Sequence, residues 1–242
     1  MNPVVEIDLP VYNEEKCLRK SVERLRDFLI KSRFRHSWRI VILNNASTDR
    51  TLEVAKALAS EFSDVTYLNI SKKGRGRALR EAWMKSRAKV CAYMDIDLST
   101  DLRAFPKLID SVLKEGYDIA TGSRLMRGSR IKRSLKREIL SRIYIFLLKV
   151  WLGISFKDAQ CGFKAVNMRI RKEVLPRILD QEWFFDSELM FKSQRYGYRI
   201  KEIPIVWIED KSSTVHIYKT VKNYLLSMLR LKLEFMIDSV HQ

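Results

Sequence analysis

At 242 residues, with 46% hydrophobic content, the chain is long enough to bury a full core, and its composition argues against a disordered or fibrous protein. A formal net charge of +17 points to anionic partners: nucleic acid, phosphorylated ligands or an anionic membrane surface. Cys17, Cys91 and Cys161 are odd in number and scattered, and only three histidines accompany them, which argues against a disulfide framework or a zinc site and for a reducing compartment.

Residues 4–9 predict a strand closed by Pro10, and Tyr12-Asn13-Glu14-Glu15 a turn into a helix reaching Lys31, with Glu14 and Glu15 in its first turn, where the helix dipole favours acids. Residues 38–43 predict the second strand, Asn44 to Asp49 its turn, and a helix to about Phe62. A third strand over 65–69 leads through Lys72-Lys73-Gly74-Arg75-Gly76-Arg77 into a helix. The apolar run 90–94 is a fourth strand, and it ends in Asp95-Ile96-Asp97. A helix over 102–114 precedes a strand over 118–121. Short strands alternating with helical patterns predict an α/β fold built on a mostly parallel, Rossmann-like sheet.

The second half is less regular. Residues 124–142 carry eight basic residues against one acid, Glu138, and run into an amphipathic helix over 136–152. Asp158 to Lys164 reads as a turn beside a strand, and Trp183 to Leu189 as the entry to a helix ending near Tyr196-Gly197. Residues 200–207 predict a strand despite Pro204. From Tyr218 the tail is helical, with Tyr218, Val221, Leu225, Met228 and Leu229 on one side and Lys219, Asn223 and Arg230 on the other. The most apolar stretch, 143–156, contains Lys149 and is shorter than the roughly 20 residues of a spanning helix, and no signal peptide is visible.

In an open α/β sheet, ligands bind beyond the carboxyl ends of the strands. Four predicted strand ends carry polar groups: Tyr12 to Glu14, Asn44 to Asp49, Asp95 with Asp97, and Ser123 with Arg124. Asn45 can hydrogen-bond a base edge. Asp95 and Asp97 suit Mg2+ or Mn2+ on a diphosphate, and Arg124 can take a phosphate bidentately. Ordinary turn and capping chemistry is the alternative for each taken alone.

Pro10-Val11-Tyr12-Asn13-Glu14, Asn45-Ala46-Ser47-Thr48-Asp49, Asp95-Ile96-Asp97 and Gly122-Ser123-Arg124 together resemble the family 2 glycosyltransferases, in the same order along nearly the whole chain. Asp158 to Lys164, Phe185-Asp186-Ser187-Glu188 and Glu202 to Trp207 resemble most closely the dolichyl-phosphate glucosyltransferases, with the mannosyltransferases next. The resemblance implies one GT-A domain over 1–242: a nucleotide-sugar half (1–122), an acceptor half (123–210) and a helical tail (211–242). It implies an inverting transfer of hexose from UDP-glucose or GDP-mannose to a polyprenyl phosphate.

By that resemblance Pro10, Tyr12, Glu14, Leu43, Asn45, Asp95, Ile96 and Asp97 bind the nucleotide-sugar, and Asp95 and Asp97 the metal. Arg124, Arg137 and Ser141 hold the acceptor phosphate, and Asp186 contacts sugar or acceptor. The enzyme would lie peripherally on the cytoplasmic face of a membrane, through the basic segment and Ile143, Phe146, Leu147, Trp151 and Leu152. A membrane-spanning partner subunit is compatible with this arrangement. The chain departs from the family at Asn44-Asn45-Ala46-Ser47, where Asp-Asp-Gly-Ser is usual, at Ser99, where some relatives place Gln, and at Thr214, where a Ser-Lys pair is common.

Two other classes compete. A nucleic-acid-binding protein would explain the charge, but no nucleic-acid motif is present, so nucleic acid is not an expected partner. A dinucleotide-dependent oxidoreductase would need a Gly-rich turn where Pro10-Val11-Tyr12-Asn13 stands.

Overall fold

A computed structural model describes residues 2–209 and 217–240, with backbone alone at 217–221 and 237–240. In chain order it contains β1 (Val5–Val11), α1 (Leu18–Lys31), β2 (Trp38–Asn45), α2 (Thr51–Glu61), β3 (Val65–Ile70), α3 (Arg75–Lys85) and β4 (Val90–Met94). It continues with α4 (Phe105–Leu113), β5 (Ile119–Ser123), β6 (Arg130–Lys132), α5 (Leu135–Leu152), β7 (Phe163–Asn167), α6 (Phe185–Arg195), β8 (Ile200–Pro204), β9 (Val206–Ile208) and α7 (Ile217–Val240). Seven strands form one sheet in the order β3-β2-β1-β4-β7-β5-β8, while β6 and β9 pair separately.

The central strands are buried along nearly their whole length because helices cover both faces, and the few charged residues they carry, Glu6, Asp8 and Lys164, are buried with them. Leu18, Val22 and Leu25 of α1, Leu58 of α2 and Phe105, Leu108 and Ile109 of α4 pack one face. Leu79 and Trp83 of α3, Leu148 of α5, Leu189 and Met190 of α6 and Met228 and Leu231 of α7 pack the other. The expected α/β architecture with a mostly parallel sheet is present. Its exception is β7, antiparallel to both neighbours, β4 and β5. This reversal turns the start of β7 to the edge where β1, β2, β4 and β5 end.

Three local expectations are corrected. Strand β1 runs through Pro10 to Val11, and α1 begins only at Leu18, so Glu14 and Glu15 precede it. Their backbone N–H groups donate instead to Thr51 Oγ1 (2.8 Å) and Asp49 Oδ2 (3.2 Å), tying the first turn to the second. The strand expected over 200–207 is two, broken at Ile205. Pro204 ends β8 because it has no N–H to donate, and β9 joins β6 instead.

The third correction concerns α7. Its inward row is Tyr224, Met228, Leu231 and Phe235, whereas Leu225 and Leu229 are exposed. Arg230, expected on the solvated side, reaches the buried Glu188 of α6 at 2.6 Å. Lys192, also fully buried, lies 3.0 Å from Glu188 and 2.7 Å from Glu234 of α7. Glu188 further accepts the backbone N–H groups of Leu179 (3.0 Å) and Asp180 (2.9 Å). Burial raises the Glu188 pKa, but Arg230, the Leu179 N–H and Lys192 outweigh it and hold the carboxyl below its usual range. The tail is thus anchored by charges that need it for compensation. Removing one member of a buried ion network leaves the others unpaired, at a cost of about 3–5 kcal/mol. Glu188→Ala should therefore lower the unfolding free energy by about that amount, read as a fall in urea midpoint at unchanged slope.

Candidate active site

The parallel strands β1, β2, β4 and β5 bring all four polar strand ends to one edge of the sheet, as their spacing implied. At the end of β1, Asn13 is left-handed (φ 57°) and its Oδ1 accepts the Thr48 N–H at 2.8 Å. At the end of β2, Ala46 is also left-handed (φ 56°), at the position where the family resemblance leads one to expect glycine. An L-residue there costs about 1–2 kcal/mol relative to glycine, so the departure is held by its surroundings.

Asp95 and Asp97 follow β4 and line a small pocket with Met94, Leu98, Ser99, Thr100, Gly162 and Trp207. Leu98 between them and Ser99 is left-handed (φ 49°), a strained conformation for a bulky residue and one that concentrates at functional turns. Asp97 Oδ1 accepts the Ser99 N–H at 2.9 Å, and the Asp95 side chain is 46% exposed. Gly162, delivered by the reversed β7, stands against Asp95: a Cβ there would lie 1.9 Å from Asp95 Oδ2. Two carboxylates opening on one pocket, with room kept by a glycine, fit a hard divalent cation.

Behind Asp95 the charges alternate inward. Arg75, at the start of α3, donates to Asp95 Oδ1 (2.7 Å) and to Asp186 Oδ2 (2.6 Å). Asp186 Oδ1 lies 3.0 Å from Lys164 and accepts the Tyr93 hydroxyl. Burial raises the Asp186 pKa, but Lys164 and Arg75 overcome it and keep the carboxyl below its usual range. Burial, with Asp186 beside it, holds the Tyr93 phenol protonated well above its ordinary range.

The other expected residues fall into distinct places. Tyr12 presents its ring to Lys73 Nζ at 3.3 Å. Glu14 accepts from the Cys17 thiol at 2.9 Å. Pro10 sits in β1, level with Leu43 of β2. Leu43 and Ile96 are buried in the two apolar clusters, so they shape the site from below rather than lining it. Asn45 is buried and its Oδ1 accepts the Gly74 N–H at 2.7 Å, which joins the second strand end to α3.

Two of the expected residues are engaged within the protein. Asp186, expected to touch sugar or acceptor, is 1% exposed and committed to Arg75, Lys164 and Tyr93. Arg124, expected to grip a phosphate, sets one edge of its guanidinium on Asp158, through Nε at 2.8 Å and Nη2 at 2.9 Å. Arg137 pairs with Glu209 at 2.7 Å and keeps 38% of its side chain exposed; Ser141 lies one turn further along α5, half-buried. Thr214 lies outside the described residues.

Arg75, Tyr93, Asp158, Gly162, Lys164 and Trp207 had no individual site role from the sequence, although Asp158 to Lys164 and Glu202 to Trp207 carried the resemblance. The signals were present in Gly74-Arg75-Gly76 and Gln160-Cys161-Gly162, but their meaning depends on which strand end they face. A separate group, Glu6, Asp8 and Cys91, lies within 4.8 Å deep in β1 and β4. Burial, with Glu6 beside it, raises the Asp8 carboxyl well above its usual range, and burial likewise raises the Cys91 thiol, so both favour the protonated, non-ligating form.

Fold and site together define a GT-A type sugar transferase. Residues 7–175 match the model of glycosyl transferase family 2, and the chain belongs to that family. It is 35% identical to glycosyltransferase AglD of Haloferax volcanii over 215 residues, 87% of this chain and 34% of that relative. It is 31% identical over 229 residues to a dolichyl-phosphate beta-glucosyltransferase of Trichomonas vaginalis, covering 90% of this chain and 70% of the relative. The chain thus spans about a third of the first relative's length and more than two thirds of the second's. Glucosyl-3-phosphoglycerate synthase of Mycobacterium tuberculosis, in complex with Mn2+, UDP-glucose and phosphoglyceric acid, shares the fold with a TM-score of 0.70 at 16% identity, over 95% of this chain and 79% of that one.

Gly162→Ala should displace the Asp95 carboxylate and weaken Mn2+ binding in the presence of UDP by about tenfold or more, as loss of a supporting contact does at metal sites. Calorimetry or Mn2+ paramagnetic resonance reads it, with thermal melting as the control for folding. The second expectation concerns acid stability. Asp158 is buried, which raises its pKa, yet Arg124 holds it down to about 2 against 3.8 in a free side chain. A depressed carboxyl stabilises the fold above its unfolded pKa and loses that contribution as pH falls through the folded one. About 2 kcal/mol should therefore disappear between pH of about 4 and about 2, and Asp158→Asn should flatten that limb of a urea-midpoint profile.

Proposed function

We propose that this glycosyltransferase moves a hexose from a nucleotide-diphosphate sugar, UDP-glucose before GDP-mannose, to a polyprenyl phosphate held at a membrane surface. The observation that carries the reading is the Asp95–Asp97 pair opening on one pocket at the ligand edge of the sheet, with the basic segment 124–142 nearby in the chain. The names of the relatives support the lipid phosphate, and the UDP complexes of the neighbouring fold support the donor. No helix among the described residues is long and apolar enough to cross a membrane.

Asp95 and Asp97 would hold Mg2+ or Mn2+, which when bound supplies charge neutralisation for a departing diphosphate. The remaining work is positional. A phosphate monoester has a second pKa near about 6 and is already a nucleophile at neutral pH, so no strong general base is required. Arg75 sets the orientation of Asp95 through Oδ1 and leaves Oδ2 toward the pocket. Tyr12 and Lys73 line the approach on the β1 side. Arg137, on exposed α5, would meet the acceptor phosphate by exchanging its Glu209 partner. In this arrangement 1–122 serves the donor and 123–210 the acceptor.

The test is transfer from a panel of labelled nucleotide-sugars to polyprenyl phosphate with Mg2+ or Mn2+. Asp97→Asn should lower turnover by about a hundredfold or more, the scale of removing one electrostatic stabiliser, with melting nearly unchanged. Full activity in that variant, or in excess chelator, would overturn the metal-assisted reading. Transfer to a soluble sugar or phosphate but not to polyprenyl phosphate would overturn the acceptor.

A further inference from the structure

Helix α5 carries an exposed apolar stripe, Leu135, Ile139, Ile143, Phe146 and Val150, each at least half exposed. Helix α7 carries another, Leu225, Leu229, Leu233 and Met236, exposed by 44–56%. Large apolar side chains repeated at helical spacing on the outside of two helices are not the scattered exposure of an ordinary surface. The helices lie side by side. Tyr144 meets Tyr224 with ring centroids 5.0 Å apart, and Lys232 Nζ lies 5.4 Å from the Trp151 ring. Both contacts advance in the same direction, so the helices are parallel. Ile145, Leu148 and Leu152 of α5, with Met228 and Leu231 of α7, face the core, which leaves both stripes on one outward surface. The structure corrects the sequence reading here: Leu152 is buried and Leu147 partly so, whereas α7 adds a second stripe.

At the C-terminal ends of the two helices this surface opens into a groove of about 270 Å³, floored by Trp151, Leu152, Phe191, Phe235 and Met236. Arg195 and Lys232 stand at its rim. Arg195 lies 5.4 Å from the Phe235 ring and Lys232 over Trp151; neither has a carboxylate partner among the described residues. The acids of the two helices whose side chains are described are already engaged. Glu138 is bound by Arg133 and Arg142, and Glu234 by Lys192. The exposed charges left over are cations, among them Lys136, Lys149, Lys222 and Lys232.

We propose that the α5–α7 surface docks on an anionic phospholipid bilayer, and that its groove takes one phospholipid that is not a substrate. An acyl chain would lie on the aromatic floor, with the headgroup phosphate between Arg195 and Lys232. An apolar stripe flanked by cations and, among the described side chains, free of unpaired acids matches the boundary between acyl chains and anionic headgroups. The groove is separate from the Asp95–Asp97 pocket and shares no residue with it. The proposal rests on the membrane reading above, and adds a lipid that anchors the enzyme rather than reacting.

The experiment is flotation of the full chain with vesicles, with neither nucleotide-sugar nor acceptor present. Vesicles of phosphatidylcholine and phosphatidylglycerol should bind it at least about tenfold more tightly than phosphatidylcholine alone, given the attraction per basic residue at an anionic surface. Arg195→Ala with Lys232→Ala should remove about tenfold of that preference. Leu229→Asn with Leu233→Asn should abolish the fraction that survives high salt. Lipids brominated in the acyl chain should quench part of the tryptophan emission, and Trp151→Phe should remove that part. These side chains are exposed or at the groove, and melting curves check that each variant folds. Wild-type protein that ignores anionic vesicles would overturn the proposal, as would unchanged binding in the Arg195/Lys232 double variant. So would a concentration-dependent dimer dissolved by the Leu229/Leu233 substitutions, which would make a second copy the occupant. Flotation without any transfer refutes the substrate reading alone; transfer to a short acceptor in detergent without flotation refutes the docking surface alone.

Discussion

The alternating row Lys164, Asp186, Arg75 and Asp95 is the constraint on which the site depends. Three of its four members are buried, and an unpaired charge there would be costly. The row is satisfied only when β4, β7, α3 and α6 are all in place, because each element contributes one charge. Its outer end, Asp95, is the one member with substantial exposure. Folding thus sets the orientation of a half-exposed carboxylate before any ligand arrives, which is how a positional catalyst reduces later reorganisation.

Strand β7 supplies the geometry that the row requires. Because it runs against its neighbours, its first residues lie at the same edge as the last residues of β4 and β5. The 158–162 turn therefore faces the site. Glu202 accepts the backbone N–H groups of Lys157 and Asp158, and Asp158 in turn clamps Arg124. The main-chain carbonyl of Gly162 accepts the Asp95 N–H at 3.2 Å, and its missing side chain leaves the carboxylate its space. On the other flank, β9 places Trp207 between the Asp97 loop and β6, with Ile208 N–H donating to the Ser99 carbonyl.

Helix α7 illustrates two kinds of surface on one element. Its inner row is fixed by Tyr224, Met228 and Leu231 and by the Arg230–Glu188 pair, whereas its outer row is apolar and uncovered among the described residues. Tyr224 also stacks near Tyr144 and Phe184, next to the α6 turn that carries Asp186. The outward apolar face and the buried ion row thus meet within one small region of the fold.

Much of this was legible in the sequence. The strand–helix alternation, the order of motifs and the Asp95–Asp97 pair at a strand end follow from local pattern, because apolar runs, turn residues and helix periodicity are properties of neighbouring residues. The family resemblance added roles that local pattern could not. What the sequence did not determine were the partners of its charged groups. Arg124, Asp186 and Arg230 are as polar as any surface residue, yet each is held in a buried or half-buried pair with a residue 34, 111 and 42 positions away. The side a charge faces depends on strand order, and strand order on long-range pairing such as the reversal of β7. Only the tertiary structure decides which carboxylate meets which cation, and so which of them remain for a ligand.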